Sequence, residues 1–260
     1  MLRALRVVAY LRFREAISYR WLSGQAVLAP LLEVAFLFFL SRLVPDDGAD
    51  LGVGYFEFAL IGVAAMNLVS GCVQSAHQYL RSLQLTGVLA WYCSTPVGLI
   101  PLMLANAVTG LGLPFFRFAA NLGLGALLGA EVGLCPTRLF LFTGCVCLAV
   151  LPLSLASQCW LLRFKKGDPV GLGVSASALL FCGVYFPVSV LPEGWKIVSF
   201  IIPTTHLAEL ARWSLAVKPV DVTLAVGALL IWCFAVGGLL LLVVQRVATN
   251  VRQRGHVADY

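Results

Sequence analysis

The chain has 260 residues, of which 60% are hydrophobic and only 12% are charged, and its mean hydropathy is +0.93. Soluble domains are about 45–50% apolar and about 25% charged, so the composition excludes a soluble globular domain and predicts an integral membrane protein. A membrane-spanning helix takes about 20 apolar residues, which leaves room for at most about six or seven spans and for no soluble catalytic domain. The net charge is +6. Because the basic residues lie in short tails and loops beside apolar segments, they predict membrane topology and no nucleic-acid partner.

The eight cysteines form no CxxC pair, no metal-ligand spacing and no disulfide framework. Most of them fall inside apolar segments, where a free cysteine behaves as a small hydrophobic residue. The cysteine pattern therefore predicts no metal site and no disulfide framework.

The predicted elements begin with residues 1–20, which carry five arginines and one glutamate among apolar residues. This pattern lacks the compact apolar core of a cleavable signal peptide and predicts an interfacial helix on the cytoplasmic surface. Six apolar segments follow and predict an all-α polytopic protein with six membrane-spanning helices. Their bounds are residues 21–44, 55–77, 97–128, 139–162, 170–186 and 222–244.

The third predicted span, residues 97–128, is longer than a bilayer requires. At 1.5 Å per residue it would extend about 48 Å, whereas the hydrocarbon core is about 30 Å thick. Such a segment must tilt, bend or project, and proline is the usual cause of a bend. The sequence therefore predicts a kink at Pro114.

The basic residues are distributed unequally between the two sides of the predicted topology. With the N-terminus inside, 12 of the 18 lysines and arginines face the cytoplasm. They are Arg3, Arg6, Arg12, Arg14, Arg20, Arg81, Arg163, Lys165, Lys166, Arg246, Arg252 and Arg254. Because positive loops are retained inside, we expect both termini in the cytoplasm and the chain in the cell inner (plasma) membrane.

The stretch at residues 187–213, before the last span, is too irregular for a simple helix. Pro187, Pro192 and Pro203 lack a backbone N–H and interrupt it, and two short amphipathic pieces lie between and after them. Irregular backbone beside a bilayer core is tolerated only where protein or water satisfies its polar groups. The pattern predicts a re-entrant helical hairpin in the outer leaflet, closing the outer mouth as a gate. An ordinary loop followed by a surface helix is the alternative.

The segment at residues 82–96 lies between the second and third spans on the cytoplasmic side. It mixes polar and apolar residues, contains Trp91 and Tyr92, and is stopped by Pro96. Such a segment suits a short helix that docks into a groove on a partner through aromatic anchors. The alternative is an interfacial helix whose aromatic residues sit at the membrane surface.

Two charged residues fall deep inside predicted spans, Glu33 in the first and Arg117 in the third. An intramembrane charge is costly and is a candidate for function. Glu33 and Arg117 are expected either to pair with each other or to line a translocation path. Arg117 has the further alternatives of a structural ion pair and of reaching the outer interface. Interhelical hydrogen bonds are expected from the polar residues Asn67, Asn106, Asn121 and Gln158.

The order of these features resembles that of ABC-2 type transporter permeases, the membrane subunits of ABC exporters. Near the C-terminus the resemblance is carried by Gly183, Phe186, Pro187, Leu191, Pro192, Pro203, Thr205, His206 and Arg212. In the segment at residues 82–96 it is carried by Gly87, Leu89, Thr95 and Pro96, and in the next cytoplasmic loop by Lys165, Lys166, Gly167, Asp168 and Pro169. Val88 and Ala90 replace the Thr and Glu that are usual in the family.

The resemblance implies a six-span subunit that pairs with a second copy or a paralogue and works with a separate ATPase subunit. It implies that residues 82–96 form a coupling helix, and that the ATPase is contacted by Gly87, Leu89, Trp91, Tyr92, Thr95, Pro96, Lys165, Lys166 and Asp168. It also implies an outer gate formed by Phe186, Pro187, Pro192, Pro203, His206 and Arg212.

The chain contains no GxxxxGK[ST] loop, no GxSxG and no HExxH. We therefore expect no catalytic residues and no cofactor in this chain, with ATP and Mg²⁺ bound by the partner subunit. The family's substrates include drugs, lipids, glycolipids and polysaccharides, and the sequence does not choose among them. One alternative is an ATP-independent carrier or channel that uses Glu33 and Arg117. An intramembrane enzyme acting on lipids is disfavoured by the missing nucleophile or metal constellation.

Overall fold

The computed structural model describes residues 20–43, 54–89, 99–133, 135–164, 167–215 and 221–254. Within these ranges every regular element is helical. The α-helices are α1 (Arg20–Ser41), α2 (Tyr55–Leu85), α3 (Leu99–Thr109), α4 (Gly112–Leu127), α5 (Pro136–Phe164), α6 (Pro169–Phe181), α7 (Glu193–Ile201), α8 (Pro203–Ser214) and α9 (Val222–Arg254). A short 3₁₀ turn covers Val188–Val190. The interfacial helix predicted at residues 1–20 lies almost wholly outside the described residues.

Four stretches in the described part of the chain are long and apolar enough to cross a membrane. They are α2, the path Leu99–Leu127 through α3 and α4, α5, and Val222–Leu240 of α9. The other two predicted spans correspond to shorter apolar helices, Leu28–Ser41 within α1 and Pro169–Phe181. The prediction of an all-helical membrane protein is therefore confirmed at this level.

Helix α2 is the centre of the fold. It packs against α1, α4, α5, α6 and α8, and 72% of the residues in its most apolar stretch are buried. By contrast, only 11% of the corresponding stretch of α9 is buried. Because a helix that is apolar on all sides needs apolar surroundings on all sides, α2 is surrounded by protein while α9 is left for lipid or a partner.

The prediction of a kink at Pro114 was wrong, because the helix breaks one turn earlier. The helix α3 ends at Thr109, and α4 begins at Gly112. Pro114 lies in the first turn of α4, where a missing N–H leaves no hydrogen bond unmade. The carbonyl of Gly110, exposed by the break, accepts a hydrogen bond from Ser75 Oγ of α2 at 2.8 Å. A neighbouring helix thus satisfies the interrupted backbone.

The stretch after α6 is broken in the way its prolines lead one to expect. Pro187 precedes the 3₁₀ turn, Pro192 is the N-cap of α7, and Pro203 is the first residue of α8. Gly183 has φ +62°, a left-handed conformation that turns the chain directly after α6 and that other residues rarely adopt. The depth of this proline-interrupted stretch in a membrane stays a prediction.

The bundle has two distinct ends. At the hairpin end, residues 182–215 meet the start of α2 and the turn that follows α4, where Gly133 N donates to the carbonyl of Leu215 at 3.1 Å. At the loop end, the last turn of α2 meets the ends of α5 and α9 and the start of α3, in a cluster of buried apolar residues. Helix α2 connects the two ends directly.

Candidate functional site

The predicted site residues that the structure describes fall into three groups, and each group contacts α2. Arg212 lies at the hairpin end, Glu33 lies near the middle of the bundle, and Asp168 lies at the loop end. Of the predicted ATPase contacts, several lie outside the described residues: Trp91, Tyr92, Thr95, Pro96, Lys165 and Lys166.

Arg212 of α8 is a buried cation that is only 4% exposed. Its guanidinium carbon lies 3.7 Å from the centre of the Phe58 ring on α2. Its Nη2 donates to the carbonyl of Gly183 at 2.7 Å and more weakly to the carbonyls of Phe58 and Val184, at 3.4 and 3.5 Å. Burial lowers the pKa of Arg212 to about 10, opposed by the nearby Glu209, so the side chain stays protonated at neutral pH.

No carboxylate lies within 4 Å of Arg212 among the described residues. Backbone carbonyls and an aromatic face therefore compensate its charge, and both are favourable partners for a desolvated guanidinium. The space for this contact exists because residue 62 is glycine. A Cβ there would lie 2.6 Å from Arg212 Nη2 and 2.9 Å from the carbonyl oxygen of Val184. Arg212 thus joins α8, the turn after α6 and the first turns of α2.

The other predicted gate residues differ in their surroundings. His206 is 4% exposed, and its Nε2 lies 2.9 Å from the carbonyl oxygen of Phe200, whose ring it meets edge-on. Pro203 is also buried, whereas Phe186 is exposed. The ring of Trp195 on α7 stacks on Phe181 at 5.2 Å. These contacts fix α7 against α8 and against the end of α6, so the hairpin is a packed unit.

Glu33 of α1 is held by two asparagines from other helices. Both carboxylate oxygens accept from Asn67 Nδ2 of α2 at 2.6 Å, and Oε2 also accepts from Asn121 Nδ2 of α4 at 3.3 Å. The alternative in which Glu33 pairs with Arg117 is wrong, because no ion pair joins them within the described residues. Asn121, one helical turn beyond Arg117, is the residue of α4 that faces the carboxylate. Arg117 Nε is buried without a hydrogen-bond partner in the structure.

A half-open pocket of about 120 Å³ lies beside Glu33. Its polar lining consists of Glu33, Asn67, Ser70, Ser175 and Tyr185. Its apolar lining consists of Val63, Met66, Ala178, Leu179 and Val184. The pocket therefore has a side that carries a carboxylate and a side that is hydrophobic.

Asp168 organises the loop end as the N-cap of α6. Its Oδ1 accepts from the backbone N–H of Gly171 at 2.9 Å and from Ser157 Oγ of α5 at 2.7 Å. His77 Nδ1 of α2 lies 2.9 Å from the same Ser157 oxygen and 3.7 Å from Asp168 Oδ1. Three helices therefore meet at one carboxylate.

The presence of Ser, His and Asp does not make this group a hydrolytic triad. In a triad the histidine accepts the serine proton, and the carboxylate holds the opposite ring nitrogen. Here the Ser157 hydroxyl donates its hydrogen bond to Asp168, and His77 Nδ1 faces both residues. Ser157 is fully buried, so its hydroxyl is closed to a substrate. The group ties helices together.

Ser157 is not among the predicted site residues, although the sequence contains a signal for it. Ser154, Ser157 and Gln158 recur at helical spacing inside an otherwise apolar span, and all three are fully buried. Gln158 is one of the polar residues predicted to bridge helices. Its Oε1 accepts from Asn106 Nδ2 at 3.0 Å, and Asn106 Nδ2 also reaches the carbonyl of Ala76 at 2.8 Å. With the two asparagine bonds to Glu33, the prediction of interhelical hydrogen bonds is confirmed.

The start of the predicted coupling segment is described as far as Leu89. Helix α2 continues to Leu85, so residues 82–85 extend α2, and a turn at Thr86 and Gly87 follows, with φ +72° at Gly87. Leu89 is 2% exposed and packs into the buried cluster at the loop end, while Gly87 and Val88 are exposed. Leu89 therefore holds the segment to the bundle, and its exposed neighbours are the residues that face outward.

Compared with models of known protein families and with curated proteins, the chain matches none. The resemblance to ABC-2 type permeases therefore depends on the residues of the sequence itself.

The space at Gly62 gives a test of the Arg212 contact. Gly62→Ala places a methyl group against the guanidinium and a backbone carbonyl, and we expect a loss of about 1–3 kcal/mol in the free energy of unfolding. The thermal unfolding midpoint of the purified protein in lipid nanodiscs measures it. Gly144→Ala in α5 is the matched control, because nothing lies within 4 Å of a Cβ there. Equal midpoints for the two variants would show that Gly62 does not accommodate Arg212.

The role of Asp168 is separable into capping and charge. Asp168→Ala removes the N-cap of α6 and the acceptor for Ser157, and we expect it to cost about 1–2 kcal/mol of stability. Asp168→Asn keeps an oxygen that caps nearly as well as aspartate. Unfolding midpoints should therefore rank the wild type first, then Asn, then Ala. If Asn is as damaging as Ala, the carboxylate charge matters and the cap does not.

Proposed function

We propose that the chain is the membrane-spanning subunit of an ATP-driven exporter of the ABC-2 type. Two copies, or one copy and a paralogue, form the translocation path, and separate subunits bind ATP and Mg²⁺ and hydrolyse the nucleotide. The observation that carries the proposal is the order of motifs along the chain: a turn and aromatic segment after α2, the Lys-Gly-Asp-Pro loop before α6, and the proline-interrupted hairpin before α9.

A six-span arrangement is compatible with the helix lengths. The 22 residues of α1 rise about 33 Å, enough for a core of about 30 Å. The 13 residues of α6 rise only about 20 Å, so the extended residues that follow must complete its passage into the hairpin. With the excess of basic residues inside, both termini are cytoplasmic, the hairpin end faces outward and the membrane is the plasma membrane.

The hairpin has the properties that a re-entrant outer gate requires. Helix α7 exposes apolar side chains, namely Trp195, Ile197, Phe200 and Ile201. Its irregular neighbours are satisfied from within the protein: Arg212 binds the carbonyl of Gly183, and Ser199 Oγ donates to the carbonyl of Phe181 at 2.6 Å. Non-helical backbone at membrane depth is stable only when protein supplies such partners. These contacts support a hairpin that enters the outer leaflet.

Coupling to the ATPase is assigned to the loop end. The exposed turn at Gly87 and Val88 leads into the aromatic segment, and the loop before Asp168 supplies two lysines. Any effect of ATP on the permease requires contacts that differ between two conformations of the partner. Helix α2 carries such a difference in the most direct way, since its last turn leads to the coupling segment and its first turns hold Arg212.

A second candidate, an ATP-independent carrier, has one observation in its favour. Glu33 lies beside a pocket and is not neutralised by Arg117. Solute flux into proteoliposomes that contain the chain alone, without nucleotide, would support the carrier and weigh against the exporter.

Co-purification tests the exporter directly. The tagged chain is isolated from its native membrane in mild detergent, followed by mass spectrometry and an ATPase assay. We expect a stoichiometric partner with a phosphate-binding loop, and we expect the double variant Trp91→Ala, Tyr92→Ala to lose most of that partner. The control is Phe140→Ala, Phe234→Ala, which removes two exposed aromatic side chains outside the predicted coupling segment. A chain that is well folded and carries no ATPase in several detergents would contradict the proposal.

A further inference from the structure

We propose that the pocket beside Glu33 binds an organic ammonium group that carries a short apolar stem. The pocket lies between α1, α2, α6 and the turn that follows α6. This assignment goes beyond the exporter proposal, because it concerns binding by this chain alone and requires no ATPase.

Of the residues that the structure describes, Glu33 is the one carboxylate that lines the pocket. Asn67 and Asn121 donate hydrogen bonds to the carboxylate but carry no net charge. Within the described residues no cation lies within 4 Å of it. Glu33 lies eight residues before the end of α1, about 12 Å along the helix, well inside an apolar span. A carboxylate in such surroundings is a strong attractor for a positively charged ligand.

The two serines of the pocket present acceptors to a ligand. Ser70 Oγ donates a hydrogen bond to the carbonyl of Met66 at 2.9 Å, and Ser175 Oγ donates one to the carbonyl of Gly171 at 3.0 Å. Both hydroxyls are therefore left with lone pairs for a ligand. Asn67 and Tyr185 complete the polar lining, and Asn67 already donates to Glu33.

The lining of the pocket suits an ammonium group and not a metal ion. Calcium requires about six to eight oxygen ligands, and magnesium requires a near-octahedral shell. The pocket offers one carboxylate, and no group of three His, Cys, Asp or Glu occurs in the described part of the chain. Its opposite wall is formed by apolar side chains such as Val63, Met66 and Leu179. Such a wall provides no ligand for a metal ion, whereas it accommodates the methylene groups of an organic ligand. A volume of about 120 Å³ fits a small amine with part of its stem.

The test is equilibrium binding of radiolabelled n-hexylammonium to the full chain in phosphatidylcholine nanodiscs, with empty discs subtracted. We expect saturable binding that Glu33→Gln weakens at least about tenfold, equivalent to about 1.4 kcal/mol. Glu131→Gln, which removes the same charge from an exposed residue, should change the affinity less than about twofold. The neutral analogue 1-hexanol should not compete.

A second variant keeps the test informative if Glu33→Gln does not fold. Ser175→Ala removes one acceptor and leaves the Glu33–Asn67 contact in place, so a few-fold weaker binding is expected. Competition in discs that contain phosphatidylethanolamine would identify a lipid head group as the natural ammonium source. Unchanged affinity in those discs would identify a free amine. Absent saturable binding, equal affinity of Glu33→Gln, or competition by hexanol would overturn the assignment, and none of these bears on co-purification of an ATPase.

Discussion

One buried guanidinium holds the proline-interrupted hairpin to the rest of the protein. Arg212 lies on the Phe58 ring and binds the carbonyl of Gly183, so it joins α8, the turn after α6 and the start of α2 in one contact. Because no carboxylate within the described ranges lies within 4 Å of Arg212, the carbonyls and the ring must stay in place for the buried charge to be stable. Movement of the hairpin therefore requires either that the α2 start moves with it or that a buried charge loses its partners.

Helix α2, which contacts Arg212 near its start, makes further polar contacts along its length. Asn67 binds Glu33 in the middle, and His77 meets Ser157 and Asp168 at the loop end. In an apolar environment each such group must find its partner within the protein, so these contacts fix how α2 is rotated against α1, α5 and α6. In the proposed exporter this arrangement makes α2 the element that joins the ATPase-facing segment to the outer hairpin, with the Glu33 pocket between them.

Composition and charge distribution were sufficient to predict the helical membrane class, and the prolines at 187, 192 and 203 were sufficient to predict a broken stretch. What a sequence pattern does not contain is the rotation of each helix about its axis. Glu33 and Arg117 have opposite charges and were candidates for an ion pair. The rotation of α4 about its axis instead directs Asn121 toward Glu33. Pro114 suggested a kink, but a helix tolerates proline in its first turn, and Ser75 on another helix stabilises the break at Gly110. The His77–Ser157–Asp168 group joins residues far apart in sequence, and only packing brings them together.

Hydrogen–deuterium exchange of Arg212→Met in nanodiscs tests the central claim most directly, because methionine keeps the apolar stem and removes every donor. We expect faster exchange of amides in α7, in α8 and in the first turns of α2, with exchange near Ser157 unchanged. Exchange at the hairpin end that equals the wild-type rate would contradict the account, since it would mean that packing alone holds the hairpin and that the buried charge contributes nothing to its position.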